Sequence, residues 1–204
     1  MITIKPNELE AVALASSYQQ TRYYLNGVCV ETYSDGTIGL IATDGHRLHT
    51  IAAKQQEQPV SSFILGNIAV EMALTMVKDK QKAIGKSSAM EVLIRIVTED
   101  SINLTVEICV ADKEAIGKVS EFTAKAIDGR FPDWRRVIPS MPTDNVENDI
   151  AFNCAYMVDF GKASKLLSGL KSSCVKITST GRASPILVKV GDNTFTGVLM
   201  PMRF

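Results

Sequence analysis

The stretch Ile127-Asp-Gly-Arg-Phe-Pro-Asp-Trp-Arg-Arg-Val-Ile-Pro139 divides the chain into two unequal parts and fits neither a helix nor a strand. Asp128 and Gly129 form a pair typical of turns, and Pro132 and Pro139 interrupt regular backbone hydrogen bonding. Trp134, the only tryptophan of the chain, lies among arginines. From these residues alone, an inter-domain linker is as good an interpretation as a functional loop.

On the amino-terminal side of this stretch, the spacing of apolar residues predicts one order of elements twice. Each copy has a short strand, a helix striped with apolar residues on one face, and three further strands. We call this arrangement a unit. Unit 1 is predicted to comprise a strand at 2–4, a helix at 6–20 and strands at 28–33, 38–43 and 47–53. Unit 2 is predicted to comprise a strand at 61–65, a helix at 67–82 and strands at 90–97, 102–110 and 120–126.

On the carboxyl-terminal side, a polar linker at 140–148 is followed by a third copy of the same order. Unit 3 is predicted to comprise a strand at 149–152, a helix at 153–168 and strands at 175–179, 186–190 and 194–200. A helix with one apolar stripe cannot bury that stripe alone, so units should pair into two-layer α+β domains. Three units leave one without a partner in its own chain, which predicts self-association. Asn7, Asn67 and Asn153 lie where each could cap a helix.

Composition excludes several classes of protein. The chain has 204 residues, 46% of them hydrophobic, so it can bury a core. No apolar run is long enough to span a membrane and no signal peptide is evident, so we expect a cytosolic protein with no membrane contact. Lys plus Arg and Asp plus Glu balance at 22 each, so any contact with nucleic acid must be local. The four scattered cysteines suggest reduced, mostly buried thiols and no metal site, and no cofactor is expected.

Four motifs together resemble one family. They are Thr21-Arg-Tyr-Tyr-Leu-Asn-Gly27, Ala42-Thr-Asp-Gly-His-Arg-Leu48, the stretch from Ile127 to Pro139 quoted above, and Val198-Leu-Met-Pro-Met-Arg-Phe204. In this order they closely resemble the bacterial DNA polymerase III beta subunit, the sliding clamp. Residues 1–139 resemble the family's middle domain, and residues 149–204 resemble the second half of its third domain. The first domain and the first half of the third are expected to be missing.

The resemblance implies a protein that performs no chemistry. Clamps of this family form a ring of paired α+β units around double-stranded DNA, and they tether a polymerase to its template at high effective concentration. The implied partners are duplex DNA without sequence preference, a DNA polymerase, other proteins with clamp-binding peptides, and a clamp loader. If the ring keeps the twelve units of its relatives, three units in each chain predict a homotetramer, although a dimer stays open. The alternative is a clamp-like protein that does not encircle DNA and instead sequesters or redirects clamp-binding partners.

The family's partner peptides end in paired apolar residues and dock in a cleft between the middle and third domains. Leu, Val, Met and Pro can accept an apolar anchor, whereas Arg, Asn and His can orient a peptide. Carried over by position, the implied cleft residues are Leu25, Thr43, Gly45, His46, Arg47, Leu48, Pro132, Arg136, Val137, Asn153, Tyr156, Val198, Met200, Pro201, Met202 and Arg203.

Three features admit a second interpretation. Lysines on or after the second and third helices could face DNA phosphates or simply form a solvated surface. These are Lys78, Lys80, Lys82, Lys86, Lys162 and Lys165. Asp44 and His46 could form an acid–base pair, but no nucleophile stands in a motif beside them, so we expect no enzyme. The apolar tail 198–202 could be core strand, although Pro201 cannot donate to a sheet ladder.

Overall fold

A computed structural model describes residues 1–85, 90–98, 100, 102–112, 115–139, 150–170, 174–179, 184–190 and 194–202. The predicted linker 140–148 lies outside these residues. The helices are Pro6–Ala13 (α1), Asn67–Ile84 (α2) and Cys154–Ser168 (α3). The strands are Ile2–Ile4 (β1), Gly27–Thr32 (β2), Ile38–Thr43 (β3), Arg47–Ile51 (β4), Ser61–Gly66 (β5), Glu91–Thr98 (β6), Asn103–Ala111 (β7), Ile116–Lys125 (β8), Val175–Thr178 (β9), Ile186–Val190 (β10) and Phe195–Leu199 (β11).

Units 1 and 2 exchange their first strands. β1 pairs with β6, so the first strand of unit 1 completes a four-stranded sheet of order β1-β6-β7-β8. Reciprocally, β5 of unit 2 pairs along its whole length with β2 of unit 1. All these pairs are antiparallel. Because each unit supplies a strand to the other's sheet, the two units form one interlocked body, as the need to bury both helix stripes predicts.

Unit 3 extends the sheet of unit 1. β11 pairs antiparallel with β4, and the resulting seven-stranded sheet has the order β5-β2-β3-β4-β11-β10-β9. We call the β4–β11 pairing the seam. The register places Leu48 opposite Val198 and His49 opposite Gly197. Residues more than a hundred positions apart in the chain therefore become direct neighbours along the seam.

The three helices pack on one face of the sheets, with α1 in contact with both α2 and α3. One large cluster of buried apolar side chains joins the helices to both sheets, including Leu9, Leu65, Ile94 and Phe160. Each is at most 1% exposed. Within the described ranges, no helix is long and apolar enough to cross a membrane.

Two predicted elements of unit 1 end earlier than the apolar spacing suggests. The helix predicted at 6–20 ends at Ala13, because the backbone N–H groups of Ala15 and Ser16 turn back to carbonyls three residues earlier. Ser17 then donates its N–H to Leu25. The strand predicted at 47–53 ends at Ile51, because Ala52 adopts a φ of 52° that no strand can contain.

Only one of the three predicted asparagine caps is present. Asn153 Oδ1 accepts the backbone N–H of Ala155 and caps α3. The prediction is wrong for Asn7, whose side-chain amide donates to the Leu166 carbonyl and so links α1 to the end of α3. It is also wrong for Asn67, which donates to the Ser17 carbonyl. Both side chains donate a hydrogen bond to a carbonyl that is distant in the chain, and the spacing of residues in the sequence does not predict such contacts.

The cysteines and the first strand of unit 3 also differ from expectation. Cys29 and Cys109 are buried, whereas Cys154 and Cys174 are exposed, so half of the thiols lie at the surface. Of the strand predicted at 149–152, the described residues contain a single bridge, between Ala151 and Met202.

Candidate functional site

The outer face of the seven-stranded sheet, opposite the helices, carries a small apolar cluster at the seam. Alternation along the strands turns Cys29, Ile41, Leu48 and Val198 away from the main core, and Trp134 covers them. Trp134 is 3% exposed. Burial raises the pKa of the Cys29 thiol well above its usual value, so this thiol stays protonated at neutral pH. The cluster therefore packs as a second, outer core held under the stretch 127–139.

A pocket of about 240 Å³ opens beside this cluster. Its walls come from all four of the quoted sequence motifs: the segments 22–25, 43–48, 132–137 and 198–200. The third of these segments includes the 3-10 turn Trp134–Val137. Nine of the predicted cleft residues line it. These are Leu25, Thr43, Gly45, Arg47, Leu48, Pro132, Val137, Val198 and Met200.

The turn between β3 and β4 is held by its own side chains. Asp44 Oδ1 accepts the backbone N–H groups of His46 at 2.9 Å and of Arg47 at 3.1 Å. Thr43 Oγ1 accepts the N–H of Gly45 at 3.0 Å. Gly45 has a φ of +92°, and a Cβ there would lie 2.5 Å from Nη1 of Arg22. The glycine therefore brings the backbone close to an arginine at the rim of the pocket.

Arg47 ties the pocket to α3. Its guanidinium pairs with Asp159, donates to the Leu14 carbonyl at 2.6 Å, and lies 3.2 Å from Asp44 Oδ2. It also stacks over the Tyr156 ring at 4.6 Å from the centroid. Burial raises the pKa of Asp159, but hydrogen bonds from Lys162 and Arg47 and the charges of both outweigh burial and lower it overall. The carboxylate is therefore ionised and keeps Arg47 in place.

His46 and Tyr156 form the side of the site nearest unit 3. Their rings stack with centroids 6.3 Å apart, next to the pocket but outside its lining. Four further predicted residues do not line this pocket: Asn153, Arg136, Pro201 and Met202. Asn153 serves as the α3 cap, and Met202 donates its N–H to the Ala151 carbonyl. Arg203 lies outside the described residues.

Four lining residues escape the sequence prediction: Arg22, Tyr24, Asp133 and Trp134. All of them belong to stretches quoted for the resemblance. The signal was therefore present in the motifs, but without a structure nothing indicates which side chains of these stretches turn toward a common space.

Three of the five predicted DNA-facing lysines that the structure describes are paired with carboxylates. The pairs are Lys78 with Glu10 at 2.8 Å, Lys82 with Asp79 at 3.5 Å, and Lys162 with Asp159 at 2.7 Å. Lys80 is half-buried and Lys165 is exposed, whereas Lys86 lies outside the described residues. Exposed pairs of this kind contribute at most about 1 kcal/mol each, so they can exchange partners readily.

Asp44 and His46 are not arranged as an acid–base pair in the described structure. The Asp44 carboxylate accepts backbone N–H groups and faces Arg47, while the His46 ring stacks on Tyr156. Among the described residues, no group of three or more His, Cys, Asp or Glu side chains could hold a metal ion.

Comparison with known proteins gives consistent matches over nearly the whole chain. The beta sliding clamp of Haemophilus influenzae is 29% identical over 203 residues, and that of Escherichia coli K12 is 26% identical over 201 residues. Each alignment covers 96% of this chain and 50% of the relative. The chain thus spans about half the length of the curated relatives it matches.

Solved structures show the same α+β clamp fold, which confirms the predicted fold class. The DNA polymerase sliding clamp of Pseudomonas aeruginosa, solved with a ligand, matches with a TM-score of 0.66 at 21% identity, over 100% of this chain and 66% of that one. The Borrelia burgdorferi polymerase III beta subunit, solved with a natural product, matches with a TM-score of 0.66 at 16% identity, over 100% of this chain and 64% of that one. The family model for the central domain of the DNA polymerase III beta subunit matches residues 5–133. Since this match covers more than half of the chain, the protein belongs to the DNA polymerase III beta subunit family.

Proposed function

We propose that this protein is a sliding clamp that holds partner proteins on DNA through short peptides and performs no chemistry itself. One observation carries the proposal: an apolar pocket at the seam, rimmed by Arg22 and Arg47, is built from four separate sequence segments. Such a concave apolar site with a few polar groups suits a peptide that ends in apolar residues. The occupant would place an apolar side chain against Leu48 and Val198, while the arginines orient its backbone or terminal carboxylate.

We also propose the division into a complete domain at 1–139, a linker at 140–148 and a half domain at 149–204. The exchange of first strands between units 1 and 2 supports it, because that exchange makes these two units mutually dependent. Unit 3 has no such exchange partner among the described residues. A second copy of the chain would supply one, so the proposal includes a homo-oligomer, either a dimer or a tetramer.

Contact with duplex DNA belongs to the same proposal. The three helices pack on one face, and α2 and α3 carry the lysines Lys78, Lys80, Lys82, Lys162 and Lys165. The second candidate, a clamp-like protein that binds peptides but does not encircle DNA, is favoured by two observations. Three of these lysines are paired with carboxylates, and the net charge of the chain is zero.

Peptide binding tests the proposal directly. We expect a synthetic peptide ending in Leu-Phe to bind and to change the fluorescence of Trp134, which is the only tryptophan and lines the pocket. Met200→Ala should weaken binding about tenfold, because truncating a side chain that the peptide would cover costs on the order of 1 to 2 kcal/mol. The matched control is Met72→Ala, since Met72 is similarly exposed but lies on α2, away from the pocket. Equal affinity of the two variants would refute the assigned site.

A further inference from the structure

The stretch that closes the pocket is a thin wall with a cavity behind it. Pro132 and Asp133 line the 240 Å³ pocket on one side and a second cavity of about 800 Å³ on the other. The second cavity is also lined by polar side chains such as Gln58, Ser62 and Arg130. Because this cavity is open, no side chain of the described residues fills the space directly behind Pro132 and Asp133. Besides its apolar packing on the seam, Trp134 has a polar support.

That support comes from Glu31 on β2. Glu31 Oε1 accepts the indole N–H of Trp134 at 3.1 Å and a guanidinium N–H of Arg135 at 3.1 Å. Glu31 Oε2 accepts a second N–H of Arg135 at 2.8 Å and the hydroxyl of Tyr33. The Arg135 guanidinium also stacks over the Trp134 ring at 4.4 Å. One carboxylate thus receives four donors, three of which belong to the wall.

The surroundings make these bonds strong and rigid. Glu31 is 5% exposed, and its backbone is paired on both sides, with Gly39 of β3 and Ser62 of β5. Charge-assisted hydrogen bonds are roughly twice as strong as neutral ones, and burial limits competition from water. The orientation of the indole is therefore set from β2, the strand next to the edge strand β5, through a side chain that does not itself line the 240 Å³ pocket.

We propose that Glu31 is a positioning residue for peptide binding: it holds the Trp134 indole as the wall of the 240 Å³ pocket and so sets the affinity of the site. This role rests on the proposed function. Without the carboxylate, the wall can retract toward the cavity behind it, and the pocket loses the surface against which an apolar side chain would pack. Glu31 acts through Trp134 and Arg135 and does not touch the peptide.

The test compares two substitutions that remove the same charge. Glu31→Gln should raise the dissociation constant of a labelled peptide ending in Leu-Phe about tenfold, measured by fluorescence anisotropy. In the same variant without peptide, the Trp134 emission should shift to longer wavelength and become more sensitive to quenching by iodide. Glu57→Gln is the matched control, because its side chain bonds Lys54 and Ser34. Glu57 meets Arg135 only through its backbone carbonyl, which the substitution keeps. Glu57→Gln should change the dissociation constant less than twofold and leave the emission unchanged.

A double-mutant cycle separates positioning from general loss of structure. Trp134→Phe keeps an aromatic ring but removes the N–H that Glu31 accepts, so Glu31→Gln in that background should change the dissociation constant less than threefold. If Glu31→Gln changes the dissociation constant equally in the wild-type protein and in Trp134→Phe, or does not change it in the wild-type protein, then Glu31 has no positioning role. Peptide binding itself would still stand. A wild-type protein that binds no peptide overturns the proposed function, and this role of Glu31 with it.

Discussion

His49 is fully buried where β4, α1 and α3 meet, and its ring accounts for much of the packing at that point. Its Nδ1 lies 2.8 Å from the Ala11 carbonyl and must therefore carry the proton of the neutral ring. The centroid of the His49 ring lies 4.5 Å from that of Phe160 and 5.1 Å from that of Phe195. Burial and, to a smaller extent, the charge of Arg47 outweigh the hydrogen bond to Ala11 and the charge of Asp159, and together these lower the pKa of His49 to about 4.

We expect this histidine to make the protein less stable in mild acid. A histidine in the unfolded chain has a pKa near 6.5, so below that pH the unfolded state binds a proton that the folded state does not bind. Stability should be constant above about pH 6.5 and fall as the pH drops toward 4, by roughly 2 kcal/mol at pH 5 and about 3 kcal/mol in the limit. Urea unfolding at several pH values measures this slope.

The matched variants are His49→Asn and His46→Asn. Asparagine at position 49 can still donate to the Ala11 carbonyl, so the variant should be less stable at neutral pH but should lose most of the acid slope. His46 is the other histidine of the chain and is exposed, so its replacement should leave the slope as it is. If the slope survives in His49→Asn, then carboxylates and not His49 are its source.

At the scale of residues, the sequence identifies the important stretch but not how it is held. Trp134 stands out as the only tryptophan within a cluster of arginines and prolines. Its partner Glu31 is 103 positions away on β2, and nothing in the local sequence marks this carboxylate as buried. A buried carboxylate is recognisable only once its donors are in place, and those come from tertiary contacts. The implied cleft residues that line the pocket were found because a motif carried them, not because their spacing predicted a shared surface.

At the scale of elements, α3 packs closely on the seam through a single glycine. Gly197 on β11 lies opposite His49, and a Cβ at this position would be 2.2 Å from Cε1 of Phe160. Phe160 is 0% exposed, so its ring has no free space to move into. The absence of a side chain at Gly197 is therefore what lets the helix of unit 3 approach the sheet.

Gly197→Ala should destabilise the protein by about 1 to 3 kcal/mol, the usual cost of overpacking a filled core. Gly117→Ala is the control: Gly117 lies on β8, no atom lies within 4 Å of an added Cβ, and the change should be neutral or slightly stabilising. Thermal unfolding of both variants measures the difference. Similar melting temperatures would mean that α3 can shift away from the seam at little cost.

The order of elements is predictable because apolar spacing reports which face of each helix or strand is buried. Strands β3 and β10 have the predicted bounds. By contrast, the end of α1 at Ala13 depends on turns that lead the chain back to Leu25, and local spacing contains no information about them. The exchange of β1 and β5 between units is likewise invisible in the sequence, since any strand with one apolar face could pair with either sheet.

At the scale of the whole molecule, the pairing of units 1 and 2 indicates what unit 3 lacks. In the first two units, the initial strand of one pairs with the second strand of the other, β1 with β6 and β5 with β2. In unit 3, the outer edge of β9 has no strand beside it among the described residues, and Ile177 on β9 is 44% exposed. By the same rule, residues 150–152 of a second copy would pair with β9 of this chain, and residues 150–152 of this chain would pair with β9 of the second copy. The outer edge of β8 is similarly open and bears Ile116, which is 50% exposed.

Among the described residues the sheet edges are β1, β5, β8 and β9, and of these β8 and β9 bear the exposed Ile116 and Ile177. If both of these edges pair with further copies and the ring keeps twelve units, the assembly is a closed ring of four chains in which β9 edges and β8 edges alternate. Light scattering should then give four times the mass of one chain. A lysine blocks strand addition at an edge, so Ile177→Lys or Ile116→Lys alone should halve this mass, and both together should give single chains. Val60→Lys, an exposed apolar position in a loop, should leave the mass unchanged.

A ring should also stay on nicked circular DNA after loading and slide off once the circle is cut, whereas single chains should do neither. A wild-type protein with the mass of one chain would rule out the ring and leave the non-encircling, peptide-binding function.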